Sequence, residues 1–349
     1  MHRQTALLGN TRSMNRGADR WIIRWLFSGC ILIYLMVLIG GLTRLTNSGL
    51  SMVEWSPTGS LPPLNEADWQ EQFSKYKQSP EFRLINYDFN LSDFKKIFWW
   101  EYIHRFLGRT IGLVFAVPFF LFWMQGRFKQ GFLKKVMVLI LLGALQGLIG
   151  WYMVKSGLNK DPHVSHYRLA LHLVTALILF GFTFWYALDL LYPAREQISN
   201  QRLKNLTILF LGLVLLQIIY GAFVAGLKAG YLYPTFPKMG ANWVPEDIAI
   251  LRPGWKNLFE GPACVQFIHR SIAYILVFAT TAIYLLSRKA NLTVLQRKLS
   301  GGLVLAVLLQ FVLGVITLIY QVPIVMAVLH QTGAFILLGI TLYLIHRLR

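Results

Sequence analysis

Eight stretches of predominantly apolar residues recur along the chain, near 21–43, 101–124, 134–154, 167–190, 204–226, 263–286, 297–320 and 324–346. A helix crossing roughly 30 Å of hydrocarbon needs about 20 such residues. The pattern therefore predicts an all-α membrane protein with eight transmembrane helices. Connectors on the side of the termini are short, whereas two on the opposite side, about 46–100 and 227–262, are long and rich in Trp, Tyr, Pro and charge. Loops of that length usually carry function. The stretch Asp68, Trp69, Glu71, Phe73, Tyr76 has the mixed polarity of short interfacial helices lying over the bundle mouth. A polar loop with aromatic anchors at the headgroups suits it equally.

Hydrophobic residues make up 55% of 349 positions and charged residues 14%, against roughly 25% charged in a soluble domain. The formal charge of +19 does not point to nucleic acid, because the basic residues sit in connectors between apolar runs rather than in a patch with interleaved aromatics. An even number of spans puts both termini on one side. Segments on that side carry 18 Lys/Arg against 3 acids, and the opposite side 16 against 12, so the termini are expected to be cytoplasmic, or matrix-facing in a mitochondrion. The first twenty residues hold four arginines and one acid, Asp19, with no apolar core before Trp21. That is no secretory signal; it reads as the cytoplasmic flank of a bacterial inner-membrane protein, with a short mitochondrial presequence as the less favoured alternative. Cys30 and Cys264 form no Cys-x-x-Cys site or disulfide framework.

An internal repeat organises the spans. Glu101-Tyr-Ile-His104-Arg105 is echoed by Gln266-Phe-Ile-His269-Arg270, Gln146 and Gly150 by Gln310 and Gly314, and His172 by His330. Pro57-Thr-Gly59 in the first long loop also answers Pro237-Lys-Met-Gly240 in the second. The chain is expected to comprise a cytoplasmic segment 1–20, a four-helix half 21–190, a linker 191–203 and a second four-helix half 204–346. Four spans per half is an even number, so the two pseudo-symmetric bundles form a parallel repeat about an axis along the membrane normal.

His104, His172, His269 and His330 all fall in even-numbered spans, within the first two turns expected of each, so their imidazoles lie at similar depth near the side opposite the termini. In an up-down-up-down bundle the second and fourth helices are diagonal, and one imidazole from each can approach the axis from opposite sides. A flat macrocycle fits between, and histidine is a usual axial ligand of haem iron. A lone intramembrane histidine is more often hydrogen-bond glue between helices; four at equivalent repeat positions favour metal ligation. Zinc fits less well, since two histidines per half leave a further protein ligand unaccounted for.

Arg105 and Arg270 follow two of these histidines, and Arg109 and Arg168 lie about one turn from His104 and His172. Guanidinium pairs bidentately with carboxylates such as haem propionates, while snorkelling to the interface is the plain alternative. The glycines of the Gln-x-x-x-Gly pairs, including Gln217 and Gly221, suit close helix packing or a porphyrin face. Glu101 marks a divergence: it shares a helix face with His104, where the second half has neutral Gln266. A carboxylate beside one site only suits proton transfer or stabilisation of a cationic intermediate; an acid placed by the helix dipole is the other reading.

The run Gly40-Gly-Leu-Thr-Arg-Leu-Thr-Asn-Ser-Gly-Leu-Ser-Met52, then Glu54-Trp-Ser-Pro57, Leu61-Pro-Pro-Leu64 and Pro80-Glu81-Phe82, resembles the haem A synthase family, in the branch shared by mitochondria and proteobacteria. The likeness continues through Glu101–Arg109, Tyr167–Leu173, Gly221–Gly230, Phe236–Met239 and Phe267–Arg270, from about residue 21 onward. It implies an oxidoreductase that converts the C8 methyl of haem O to a formyl group by successive hydroxylation, for cytochrome oxidase. It further implies that the N-terminal half holds the substrate haem on His104 and His172 with Glu101 as functional acid, and that the C-terminal half holds a resident haem b on His269 and His330. Contacts with a haem O synthase and with an electron donor or acceptor follow from the same resemblance, and a homo-oligomer stays open. The paired loop cysteines of the other branch are missing here. From the residues alone, a di-haem transmembrane cytochrome b remains the alternative function.

Overall fold

The computed structural model describes residues 2–54, 59, 61–158, 162–192 and 200–349, with side chains from Arg20 onward. Trp55–Thr58, and with them Pro57 of the loop echo, lie outside the described residues, as do the side chains of 1–19 and positions 193–199 of the linker. Among the described residues the chain is all-α. Eight helices are long and apolar enough to cross a membrane: α1 (His2–Leu45, its apolar part from Arg20), α4 (Leu91–Met124), α5 (Phe132–Gly157), α6 (His166–Leu191), α7 (Gln201–Gly226), α9 (Pro262–Lys289), α10 (Val294–Ile319) and α11 (Ile324–Arg347). Short helices α2 (Glu66–Lys77), α3 (Pro80–Leu84) and α8 (Asn257–Glu260) lie in the two long loops.

The helix carrying His104 starts ten residues earlier than the hydropathy pattern suggests. Its first turn is fixed by a capping box in which Asn90 Oδ1 accepts from the Ser92 and Asp93 amides (2.8 and 3.2 Å), while the Asp93 carboxylate accepts from the Asn90 amide (3.4 Å). Lys95 and Lys96, which end the apolar run, pair with Glu66 and Asp93 at 3.2 and 3.0 Å. At 1.5 Å per residue the 34 residues of α4 extend about 51 Å, so its start projects beyond the bilayer. His104 accordingly lies in the fourth turn of its helix rather than the first two, whereas His172, His269 and His330 keep the expected position near their helix starts.

The projecting turns of α4 are covered by α2. Asn65 caps α2 by accepting from the Asp68 amide at 2.9 Å, and Trp69, Phe73 and Tyr76 then fall on one face, where all three are buried. Phe94 is their common partner: Phe73 and Tyr76 stack on it at 5.3 and 5.1 Å between ring centroids, and Trp69 meets it edge-on at 6.4 Å. Residues 66–77 of the first long loop thus form a helical, packed aromatic cap rather than a polar loop.

In the first half α1 packs against α4 and α6, and α5 packs against both of those, leaving α4 and α6 diagonal. The second half repeats this, with α7 against α9 and α11, α10 against both, and α9 diagonal to α11. The seam between halves is made by α6 with α7, α1 with α11, and α6 with α11, around Cys30, Ile33, Leu177, Phe180, Phe335 and Leu338. The correspondence reaches backbone detail. Two residues beyond the ends of α1 and α7 stand residues of positive φ, Asn47 at 50° and Lys228 at 54°, and each is followed by a fully buried small residue, Ser48 and Ala229. At the end that carries the termini, Asp189 of α6 accepts from Lys135 of α5 (2.9 Å) and from Arg349 beyond α11 (2.5 Å), tying the halves together.

Close approach at the seam depends on Gly226, where an added Cβ would come within 2.8 Å of the His166 Cα and closer still to its Cβ. Overpacking against backbone cannot be relieved by a rotamer change and costs about 1–3 kcal/mol. Gly226→Ala is expected to lower the thermal midpoint of the purified protein, whereas Gly143→Ala, which meets nothing within 4 Å, should leave it in place. Equal midpoints for the two variants would remove the α6–α7 approach from the account.

Candidate haem-ligand sites

Each of the four histidines is seated against a glycine of the neighbouring helix. A Cβ at Gly40 of α1 would lie 3.1 Å from His104 Nε2, and one at Gly221 of α7 3.2 Å from His269 Cε1. Gly150 of α5 and Gly314 of α10 stand in the same relation to His172 and His330, each 2.9 Å from the imidazole Cε1. At Gly150 and Gly314 a side-chain carbon would force the ring to shift, and at Gly40 and Gly221 it would crowd it, so glycine lets each ring come close to the helix. Glutamines complete the seats. Gln146 Nε2 donates to the His172 carbonyl at 2.9 Å and stands 3.1 Å from its Nδ1. Gln310 Nε2 donates to the His330 carbonyl at 2.7 Å, and Gln217 Nε2 lies 3.3 Å from His269 Nε2.

The diagonal helices bring the histidines together within each half: His104 lies in electrostatic reach of His172, and His269 of His330. His269 Nδ1 and His330 Nδ1 are buried without a hydrogen-bond partner, which a native interior rarely tolerates without a functional reason. Among the described residues no group of three or more His, Cys, Asp or Glu side chains is placed to hold a metal ion. Opposed pairs of imidazoles suit an iron whose other ligands come from a porphyrin, and they do not complete a zinc site.

Above the histidines the two halves clamp their long loops in the same way. Arg105 donates through Nη2 to the Met52 carbonyl (2.8 Å) and through Nη1 to that of Glu54 (2.8 Å). Arg270 does so to Tyr233 (2.6 Å) and Thr235 (2.9 Å), and adds Lys238 at 3.3 Å. Three residues before each histidine, the divergent position joins the clamp. Glu101, 2% exposed, accepts from Ser51 Oγ (2.7 Å), the Met52 amide (2.9 Å) and Arg105 Nη2 (2.5 Å). Gln266 donates to the Tyr233 carbonyl at 3.3 Å, and its Oε1 has no partner among the described residues. The two arginines next to the histidines therefore face the loops. Arg168 donates to the Tyr152 carbonyl at 2.8 Å with its guanidinium 3.7 Å above the Tyr152 ring, and Arg109 lies against Gly59.

Sequence reasoning missed Ser51, and it missed Gly40 as a histidine seat. A signal existed: the offset of 181 that carries Gly40 to Gly221 and Asn47 to Lys228 also carries Met52 to Tyr233 and Glu54 to Thr235, the four clamp carbonyls.

Comparison with known proteins bears on what such a site is for. The COX15-CtaA family, described as cytochrome oxidase assembly protein, matches residues 23–342. The chain belongs to this haem A synthase family. A haem A synthase of Flavobacterium psychrophilum is 47% identical over 334 residues, covering 94% of this chain and 98% of that protein. One from Nitrosospira multiformis is 43% identical over 350 residues (99% and 98%), and one from Wolbachia pipientis wMel 44% over 330 residues (93% and 92%). The family match spans both histidine pairs and both clamped loops.

One further acid lies close to the first site of this family member. Glu81 is 6% exposed; its Oε2 accepts from the Tyr76 hydroxyl at 3.0 Å, and Asn86 Nδ2 donates to that hydroxyl at 2.8 Å. Burial, together with the negative charge of Glu101, pushes the Glu81 carboxyl up to about 7, against the Tyr76 hydrogen bond and Lys228. A carboxyl raised on folding contributes stability that is complete below its unfolded value near 4.5 and is lost as pH rises through about 7. Hydrogen exchange in residues 66–86 is therefore expected to quicken, beyond its intrinsic pH dependence, between about pH 4.5 and 7 and to level off above. Glu81→Gln should flatten that excess, and an identical profile in the variant would show that Glu81 does not carry it.

Proposed function

We propose that this protein oxidises haem O to haem A, taking the C8 methyl to a formyl group by successive hydroxylation, as a multi-pass protein of the bacterial inner membrane with both termini cytoplasmic. The observation that carries the reading is the duplicated pair of glycine-seated histidines, with an acid in the clamp of one half and an amide in the other. Two equal sites would serve electron transfer; unequal sites suit one haem that reacts and one that does not. Family membership names the chemistry.

The half 21–190 would hold the substrate, with His104 and His172 as axial ligands of the haem O iron. The half 204–346 would hold a resident haem b on His269 and His330, for which the opposed rings, glycine seats and orphaned Nδ1 atoms are a fitting cradle. When bound, haem b supplies one-electron redox chemistry next to the substrate half. The chain's own residues seat the imidazoles, keep the loops closed over them through Arg105 and Arg270, and exclude water by the aromatic cap. Arg109 and Arg168, about one turn from the first-half histidines, would serve the substrate's propionates. The exposed parts of the long loops are where an electron donor or acceptor and a haem O synthase would dock. An electron-carrying cytochrome spanning the bilayer would instead stack its ligand pairs at different depths; here all four histidines lie toward the end opposite the termini.

Glu101 would supply negative charge and a proton acceptor beside the reacting haem, while also holding Ser51 and Met52. The halves themselves provide the control, because Gln266 does the loop-holding with an amide. Glu101→Gln is expected to keep the loop clamped and the protein folded, yet to lower the haem A to haem O ratio in membranes by about 10²–10⁴-fold, the usual size of acid–base or electrostatic help. A purely dipole-stabilising acid is worth about 0.3–1 kcal/mol of stability and leaves turnover alone. An unchanged pigment ratio at equal protein levels would remove Glu101 from the chemistry.

A further inference from the structure

The halves differ at a second charged position, on the helix that seats the first histidine. Arg44 stands one turn beyond Gly40 on α1, toward the loop end of the bundle. Four residues advance a helix by about 6 Å and return it to nearly the same face, so Arg44 sits above the Gly40–His104 contact. It also borders the seam, since Gly41 meets Gln331 of α11 and Tyr231 of the second long loop lies within electrostatic reach. The matching place in the second half, four residues beyond Gly221, is Ala225.

The Arg44 guanidinium is only partly exposed and makes no hydrogen bond or ion pair with any described residue. Arg105 and Arg168 already hold the chain itself, Arg105 through two loop carbonyls and Glu101, Arg168 through the Tyr152 carbonyl and ring, so a propionate would share them with those contacts. A charged group withdrawn from water at a membrane boundary without a partner is costly and marks a functional position. What would satisfy it is an anion entering from the His104 side. A haem bound there brings two propionate carboxylates, and carboxylate is the anion a guanidinium recognises in bidentate geometry.

We propose that Arg44 binds a propionate of the haem held between His104 and His172, and that the second half, with Ala225, lacks this anchor. The assignment rests on the first half being the substrate site. It gives the two sites different grips: a charge anchor at the mouth for a haem that must arrive and leave, and none at the matching place for one that stays.

The test is titration of the purified full-length protein in detergent with ferric haem O and with its propionate dimethyl ester, followed in the Soret band. The parent is expected to bind haem O about tenfold or more tightly than the ester, the size of one charge-assisted hydrogen bond. Arg44→Gln should weaken haem O binding toward the level of the ester, removing most of the preference, and leave ester binding unchanged, and Arg44→Lys should recover part of the difference. Because the parent's preference for acid over ester needs no variant, loss of fold in Arg44→Gln does not spoil the comparison. Equal affinities of the parent for both ligands, or undiminished haem O binding by Arg44→Gln, would overturn the proposal. His104→Ala separates the two layers: haem O binding unaffected by that change would sink the substrate-site reading itself, whereas binding lost in His104→Ala but intact in Arg44→Gln would sink only the anchor.

Discussion

An imidazole inside a bilayer has no water to orient it, so its direction must come from packing, and in this protein a glycine on the next helix supplies that packing four times. Gly40, Gly150, Gly221 and Gly314 each let a ring approach more closely than a side-chain carbon ordinarily allows. The helix arrangement meets this requirement: α4 stands diagonal to α6 and α9 to α11, so that their histidines oppose, and the helices between them present glycine at the right height. Small residues that admit close approach are a general means of holding membrane helices together. Here the same residues aim the imidazoles.

Over this frame lie two loops that the repeat clamps by the same atoms. An arginine next to the histidine takes two loop carbonyls in each half, and the residue three positions earlier takes a backbone group of the same loop. Function enters where this equivalence breaks. Two such positions are Glu101 against Gln266 and Arg44 against Ala225, each charged in the first half and neutral in the second. A duplicated scaffold that keeps its ligands and alters the charges beside them can hold two like molecules and treat them differently.

Much of this was legible in the chain. Span number, the diagonal histidine pairs and the divergence at Glu101 follow from apolar run length and repeat spacing, since the bilayer leaves helices few alternatives. The start of α4 was not legible, because Lys95 and Lys96 interrupt the hydropathy where the helix leaves the membrane, and their partners Glu66 and Asp93 become apparent only in three dimensions. The loop-holding bonds of Arg105 and Arg270 were not legible for a related reason: their guanidiniums reach outward to carbonyls 35–53 residues away along the chain. Backbone acceptors leave no trace in side-chain identity. The buried Glu81–Tyr76 pair escaped notice likewise, since nothing in a polar loop announces which of its acids is covered.

The central claim is that the two histidine pairs hold two haems with separate duties, and the pigment content of purified histidine variants tests it most directly. Haem extracted from His104→Ala or His172→Ala and separated by chromatography should lack haem O and haem A while retaining haem b. His269→Ala and His330→Ala should lose haem b. Loss of both kinds of haem from every folded variant, or retention of haem b at full occupancy in His269→Ala and His330→Ala, would contradict the division of the molecule into a reacting half and a resident half.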